Sequence, residues 1–451
     1  MQYSVTPVDA HLGVTSWMSN VREDNNNIRS YSMSTLKKTT LALALAGATL
    51  ATTAQASEVE VLHWWTSGGE ARAANVLKEL MEAEGYGWQD FAVAGGGGET
   101  AMTVLKSRAM SGNPPSAAQI KGPEIQEWGE LGLLGDLNGV ADAEGWDELL
   151  PEVVADIMRH DGQYVAVPVN VHRVNWLWAN PEVLEAAGVE MPTTLDELFE
   201  AGEAIREAGF VPLAHGGQSW QDATVFESVL LGGQGSEFYQ QALVELDPEA
   251  LGGEQMIDAL EDFKRTRELM DEGMPGRDWN VATAMVIEGV AGFQLMGDWA
   301  KGEFTAAGLT AGEDYLCAAA PGTEDAFTFN IDSLAMFRVT DDDEREAQQA
   351  LARLVLEPTF QEAFNLAKGS IPARPDLDMS EFDSCAQQSL ADFQRTAEEG
   401  GLVPSMAHGM AVRADIQGAI FDVVTNYFND ADMPAEEAAE RMVSAAEAAS
   451  F

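Results

Sequence analysis

The sequence predicts an α/β fold of two lobes, and three observations predict it. Short apolar runs alternate with amphipathic helical patterns, as in a sheet wound through helices. The part of the chain beyond its export signal, about 395 residues, is long enough for two such domains. After Pro181 the character shifts to longer helices with no low-complexity linker, so the second lobe follows without a floppy connector.

From Met33 the chain reads MSTLKKTTLALALAGATLATTAQA: two lysines, an apolar stretch from Leu41 to Ala51, then Ala54-Gln55-Ala56 as a small-x-small cleavage site. We read 33–56 as a cleavable secretory signal, too short to span a bilayer, with the mature protein starting near Ser57 in the periplasm. No Cys follows the cleavage site, which argues against a lipid anchor. Residues 1–32 lack apolar periodicity and read as a misassigned start or a disordered extension.

The elements come in order along the chain. VEVLHWW is a strand candidate, EARAANVLKELMEAEG a helix stopping at Gly85, WQDFAVAG a second strand and ETAMTVLKSRAMSG a second helix. AAQIKG, PEIQEWGELGLLG and YVAVPVNVHRVNWLWAN continue as strand, helix, and one or two strands. This β-α repetition predicts a parallel sheet with right-handed crossovers. Beyond Pro181, TLDELFEAGEAIREAG is a helix capped by Thr194, and GGEQMIDALEDFKRTRELMDEG is another, with VPLAHGG and GVAGFQLMGDWA as strands. FTFNIDSLAMF reads as one strand, and DDDEREAQQALARLVLEP, PTFQEAFNLAKG, MAVRADIQGAIFDVVTNYFND and PAEEAAERMVSAAEAAS as helices.

The charge excludes some partners. Seventy-four acids against 25 bases give a formal net charge of −49, so long-range repulsion opposes nucleic acid and anionic membranes. The acids are interspersed along helix faces, which reads as a solvated shell suited to a salt-tolerant host. Two cysteines, Cys317 and Cys385, allow one disulfide without requiring it. His63, His160, His172, His215 and His408 show no metal-ligand spacing, and no GxSxG elbow is present. We therefore expect no metal, no cofactor and no enzymatic activity.

What remains is a set of polar and aromatic side chains at element ends. Trp64 and Trp65 stand where a strand should give way to a loop; either they pack under the first helix or they offer a flat face to a sugar ring. Glu70, just beyond, could accept from adjacent hydroxyls. Gly95 to Gly98 resemble a phosphate cradle in outline but lack its signature, and read better as a tight loop brought close to another surface. Lys121 ends a strand, and Lys368 ends a helix before Gly369. Asn330 and Asp332, two apart in one strand, should face the same side. His408 lies in the loop-like PSMAHGM. Glu70 and Asp332 could be imagined as a glycosidase pair, yet nearby lysines would hold both ionised, which denies them the general-acid role.

With WWTSGGE, QIKG, GDWA, NIDSLAMF, AKGSIPAR and AHGM in this order, the chain resembles the periplasmic solute-binding proteins of ABC sugar importers, family 1, and most of all their glucose-binding branch. The resemblance covers essentially the whole mature chain. It implies a two-lobed periplasmic-binding-protein fold of type II, like maltose-binding protein, with hinge crossovers between an N-terminal lobe (57–171 and 329–362) and a C-terminal lobe (172–328 and 363–451). It also implies a monomer that closes on one monosaccharide and delivers it to the transmembrane subunits of a permease. Carried over by position, it implies Trp64 or Trp65 stacking on the ring, with Glu70 and Lys121 bonding hydroxyls. Asn330 and Asp332 would hold a vicinal pair, Lys368 and His408 the far side, and Trp299 of GDWA the opposing face. His172 fits a structural hinge residue better than a ligand contact. Glucose is the expected sugar, with galactose or mannose as alternatives. A sensor presenting the same pocket to a chemoreceptor, or a secreted glycosidase, are the competing readings.

Overall fold

A computed structural model describes residues 57–449, all within one compact unit. The expected signal and upstream extension lie outside the described residues. Two hydrophobic cores organise the unit. One gathers residues from Val59 to Val171 and again from Phe327 to Phe393; the other gathers Val174 to Ala326 and Val403 to Ala446, with Cys385. The stretch 360–393 contributes Phe360, Phe364, Ile371, Phe382 and Phe393 to the first core.

In the first core a five-stranded sheet runs in the order Gly87–Ala92, Glu58–His63, Ala117–Ile120, Ser333–Met336, Ala166–Pro168. The first three pair in parallel, as β-α repetition predicts, but Ser333–Met336 runs antiparallel to both its neighbours. The all-parallel expectation is therefore corrected: a strand returning from the other lobe enters from the opposite end. The second core holds Leu316–Ala319, Trp176–Ala179, Ala291–Leu295 and Val211–Leu213.

Between the cores lies a short third sheet, Leu402–Pro404, Phe327–Asn330 and His172–Arg173. Here the chain leaves the first core and returns to it, and the two crossings pair antiparallel, Phe329 with Arg173 and Asn330 with His172. Buried Arg173 anchors the crossing: its guanidinium donates to Asp392 at 2.6 Å and to the Ala326 carbonyl at 3.2 Å. FTFNIDSLAMF is thus two strands in two sheets, broken at Ile331-Asp332. YVAVPVNVHRVNWLWAN is likewise cut into short strands that serve different sheets. Continuous apolar character could not reveal this, because both crossings are buried on every side.

Helix boundaries follow local chemistry. The helix Gly68–Ala83 opens on a capping box in which the Ser67 hydroxyl accepts from the Glu70 N–H and the Glu70 carboxylate reaches back. Thr194 and Glu197 form the same box before Leu195–Glu207. Gly369, at φ +94°, ends Pro358–Lys368 in the left-handed conformation that a residue with Cβ resists. The helices Ser219–Tyr239 and Ser384–Glu399 have no counterpart among the predicted elements; the first is buried along most of its length, polar residues such as Gln221, Asp222 and Glu227 included, and so shows no amphipathic stripe. A disulfide joins Cys317 to Cys385, tying the edge strand of the second sheet to the helix Ser384–Glu399.

Candidate functional site

All nine residues singled out from the sequence, Trp64, Trp65, Glu70, Lys121, Trp299, Asn330, Asp332, Lys368 and His408, border one cavity where the two cores meet. His172 borders it too, as do Trp220 and Trp279, which the sequence did not single out. Lone tryptophans beside helix starts carry no motif and read as core; only the fold reveals their position.

The strand Glu58–His63 ends just before the two indoles, and buried side chains hold their backbone in place. Gln119 accepts from the Trp64 N–H at 3.2 Å, and His63 Nδ1 accepts from the Trp65 N–H at 3.2 Å. Burial lowers the His63 pKa, so its Nε2–H donates to Asp90 at 2.6 Å from a neutral ring. Trp65 is the more enclosed of the pair: its edge meets Phe364, and its Nε1–H donates to Asp332 at 3.3 Å. Trp64 lies beneath the Lys121 ammonium, 5.3 Å from the ring centre.

Asp332 is the electrostatic centre. Burial alone would raise its pKa, but the bond from His172 and the charges of Lys368 and Lys121 hold it far below the usual carboxylate range. Burial opposes a charge on His172 as well, yet Asp298 and Asp332 outweigh it and raise its pKa. His172 thus bridges the two carboxylates, Nδ1 against Asp298 and Nε2 3.1 Å from Asp332, with the Asn170 amide 3.0 Å from the same Nε2. Asp298 also accepts from the Arg173 N–H at 2.9 Å, which fixes the turn GDWA against the crossing strand. In that turn the Trp299 indole folds over Gly297, where any Cβ would come within 2.2 Å of the ring.

Lys368 sits beside Glu70, donating to its Oε1 at 3.0 Å, while Glu70 Oε2 accepts from the Thr66 and Ser67 N–H groups. On the opposite wall His408 lies 4.7 Å from Trp299 between ring centres. Burial and the nearby Lys121 and His172 charges push its pKa well down, so it is neutral. Thr224 gives its hydroxyl hydrogen to the Trp220 carbonyl at 2.8 Å and accepts from His408 Nε2 at 3.1 Å, which leaves His408 Nδ1 as an acceptor. Asn330 Oδ1 is buried and has no hydrogen-bond partner among the described residues. The glycine loop meets the other side at Trp220, whose ring a Cβ at Gly96 would approach to 2.7 Å, and packs on its own side against Trp64, 2.9 Å from where a Cβ at Gly98 would stand. The expected close approach is present. Among the described residues no cluster of His, Cys, Asp and Glu is placed to hold a metal.

The cavity itself is about 30 Å³, room for about one or two waters and far less than a sugar ring. Its polar groups mostly bond one another, so a ligand would have to part the walls and replace those bonds.

A family model described as bacterial extracellular solute-binding protein matches residues 66–361. This chain belongs to that family. A "Probable sugar-binding periplasmic protein" of Rhizobium meliloti (strain 1021) is 48% identical over 400 residues, covering 88% of this chain and 96% of that protein. The "Xylose/arabinose-binding protein XacG" of Haloferax volcanii is 28% identical over 373 residues, 80% of this chain and 79% of that one. Among solved structures, a "Chitin oligosaccharide binding protein" superposes with a TM-score of 0.75 at 17% identity, over 87% of this chain and 99% of the other. Maltose-bound T. maritima MalE3 gives 0.69 at 16%, over 87% and 99%. These likenesses establish the two-lobed, maltose-binding-protein-like fold of this family member.

Proposed function

We propose that this protein is the periplasmic sugar-binding component of an ABC importer. It holds one hexose, glucose in the first instance and galactose or mannose as alternatives, and delivers it to the transmembrane subunits of a permease. The observation that carries this is the convergence of indoles, two ammonium groups, two carboxylates, an amide and a neutral imidazole on one buried junction between two cores. Indole faces suit the C–H face of a pyranose, and charged or amide groups at its edge select hydroxyls. The names of the relatives, sugar-binding and periplasmic, point the same way.

The lobes divide, in this reading, along the two cores, with the paired crossings at His172–Arg173 and Phe327–Asn330 as hinge. Open lobes admit the sugar; groups from both sides contact it only when closed, so binding shifts the population by its differential affinity for the closed form. Nothing in this cycle breaks a bond. Asp332, held charged, is suited to accept hydrogen bonds and not to donate a proton, which favours holding over hydrolysis. The protein acts as a monomer without cofactor; presentation to a chemoreceptor would use the same closed form.

Calorimetric titration of the mature protein against a panel of monosaccharides in high salt tests the proposal. Saturable binding of a hexose with one-to-one stoichiometry is expected. Absence of binding across the panel, or turnover of an aryl-glycoside, overturns it.

A further inference from the structure

The two cores also meet outside the cavity. The helix Gly68–Ala83 packs in the first core through Ala73, Ala74 and Leu77, and the helix Ala300–Ala306 in the second through Ala300 and Phe304. Where they touch, Glu303 Oε1 accepts from the Gly69 N–H at 2.9 Å. In return Arg72 donates from its guanidinium Nη2 to the Gly302 carbonyl at 3.3 Å. Gly69, Arg72, Gly302 and Glu303 do not border the cavity.

The backbones themselves are in contact here. A Cβ at Gly69 would stand 2.9 Å from the Gly302 carbonyl carbon, and one at Gly302 would stand 2.9 Å from the Ala367 carbonyl oxygen. Gly302 is therefore seated between the start of one first-core helix and the end of another, Pro358–Lys368. Both of those ends carry cavity residues: Glu70 follows Gly69, and Lys368 follows Ala367. Trp299 stands directly before the helix that meets them.

The bond has a definite energetic sense. The first turn of a helix leaves N–H groups without an intrahelical acceptor, and that of Gly69 is one of them. Ser67 and Glu70 satisfy each other's N–H groups within their own segment, whereas Gly69 takes its acceptor from the other core. A carboxylate is further favoured at a helix N-terminus by the dipole. The contact thus stabilises the arrangement in which the cores meet, and it does so without a ligand.

We propose that Glu303 is a latch between the lobes, which sets the affinity for sugar from outside the cavity by holding the closed form. The inference rests on the sugar-binding reading above and adds to it a control that never touches the ligand. Apparent affinity scales with the fraction of protein that is competent to bind, so weakening the latch should cost every sugar the same factor.

The test titrates the mature wild-type protein, Glu303→Ala, Glu303→Gln and Gly69→Ala with glucose, galactose and mannose, and follows the radius of gyration by small-angle X-ray scattering. Glu303 is only half-buried and alanine suits a helix better than glycine, so all three variants should fold and melt cooperatively. Glu303→Ala should weaken binding by about 3- to 30-fold, as expected for loss of one helix-cap bond. It should still reach the compact radius of wild type at saturation, and the ratio of affinities among the hexoses should not change. Glu303→Gln keeps an acceptor oxygen and should lose less. Gly69→Ala, which adds bulk at the same contact, should weaken binding too. Wild-type affinity in Glu303→Ala or in Gly69→Ala overturns the latch and leaves the sugar-binding reading standing. So does a loss in Glu303→Gln equal to that in Glu303→Ala, or a changed ratio among hexoses, which would make Glu303 a sugar contact. Failure of wild type to bind any of the three sugars overturns both.

Discussion

At the scale of the residue, Asp332 decides how the site is balanced. It accepts from Trp65 and from His172, and Lys368 and Lys121 add to the positive field around it. Asp332→Asn would leave those cations without their counter-charge, and breaking a buried pair typically costs about 3–5 kcal/mol. Urea unfolding should show a loss of that order, and hexose titration should show no binding; a variant of wild-type stability that still binds would remove Asp332 from the centre. Glu227 acts one step back from the cavity. It is buried and accepts from Ser405 Oγ at 2.6 Å, the Tyr239 hydroxyl at 2.8 Å and the Ala407 N–H at 3.0 Å, which shapes the turn carrying His408. Burial outweighs these donors and pushes its pKa from 4.5 up to about 7. Between those values the folded state keeps a proton that the unfolded chain has released. Its contribution is therefore whole below pH 4.5 and is lost as pH rises through about 7, an effect of about 3 kcal/mol. Urea unfolding at pH 5 and pH 8 should show that decline in wild type and a smaller one in Glu227→Gln; equal slopes would contradict it. The sequence made Asp332, Glu70 and Lys368 legible because charges in apolar surroundings need a reason. It left Trp220 and Glu227 illegible because each sits in an ordinary helix, and their partners are distant in the chain.

At the scale of the element, closure in the proposed cycle would fall to the glycine loop and the crossing strands. Gly96 belongs to the first lobe and Trp220 to the second, and their contact leaves no room for a Cβ. Gly96→Val should leave the open form intact and obstruct the closed one. Hexose affinity should therefore fall by about 10- to 100-fold with melting temperature nearly unchanged, since each tenfold is about 1.4 kcal/mol. Unchanged affinity would show that the loop does not seal the site. The loop's role was readable in outline, because four consecutive glycines without a phosphate signature imply a close approach to some surface, though not which one. The crossing strands were harder. Asn330 and Asp332 do border one cavity, but for a different reason from the alternation of a single strand: Asn330 ends one strand, Asp332 lies in the break, and the next strand joins another sheet. Strand identity followed from β-branched and aromatic runs; sheet membership depended on where the chain changes lobes, and periodicity does not encode that. Capping boxes at Ser67 and Thr194 were better signposts, since they are satisfied locally.

At the scale of the whole molecule, the dominant quantity is the charge of −49. Many of the bases are already committed, as Arg206 is to Glu203 and Arg441 to Glu437, and exposed pairs of this kind are each worth at most about 1 kcal/mol. Acids outnumber bases about three to one, so the surplus of negative charge repels itself and the compact state concentrates that repulsion. Added salt weakens pairs and repulsions alike, but the surplus lies with the repulsions. Raising ionic strength from about 0.1 M to about 1 M shortens the screening length from about 10 Å to about 3 Å. The melting temperature of the mature protein should climb by about 5 °C or more over that range. Hexose affinity should not follow it, because the ligand is neutral and the charged groups of the site are buried beyond the reach of salt. Scanning calorimetry and titration on the same salt series separate the two quantities. Stability that falls as salt rises would mean that the paired charges, not the surplus, govern the fold. Affinity that tracks stability would mean that closure itself works against the repulsion between the two acidic lobes.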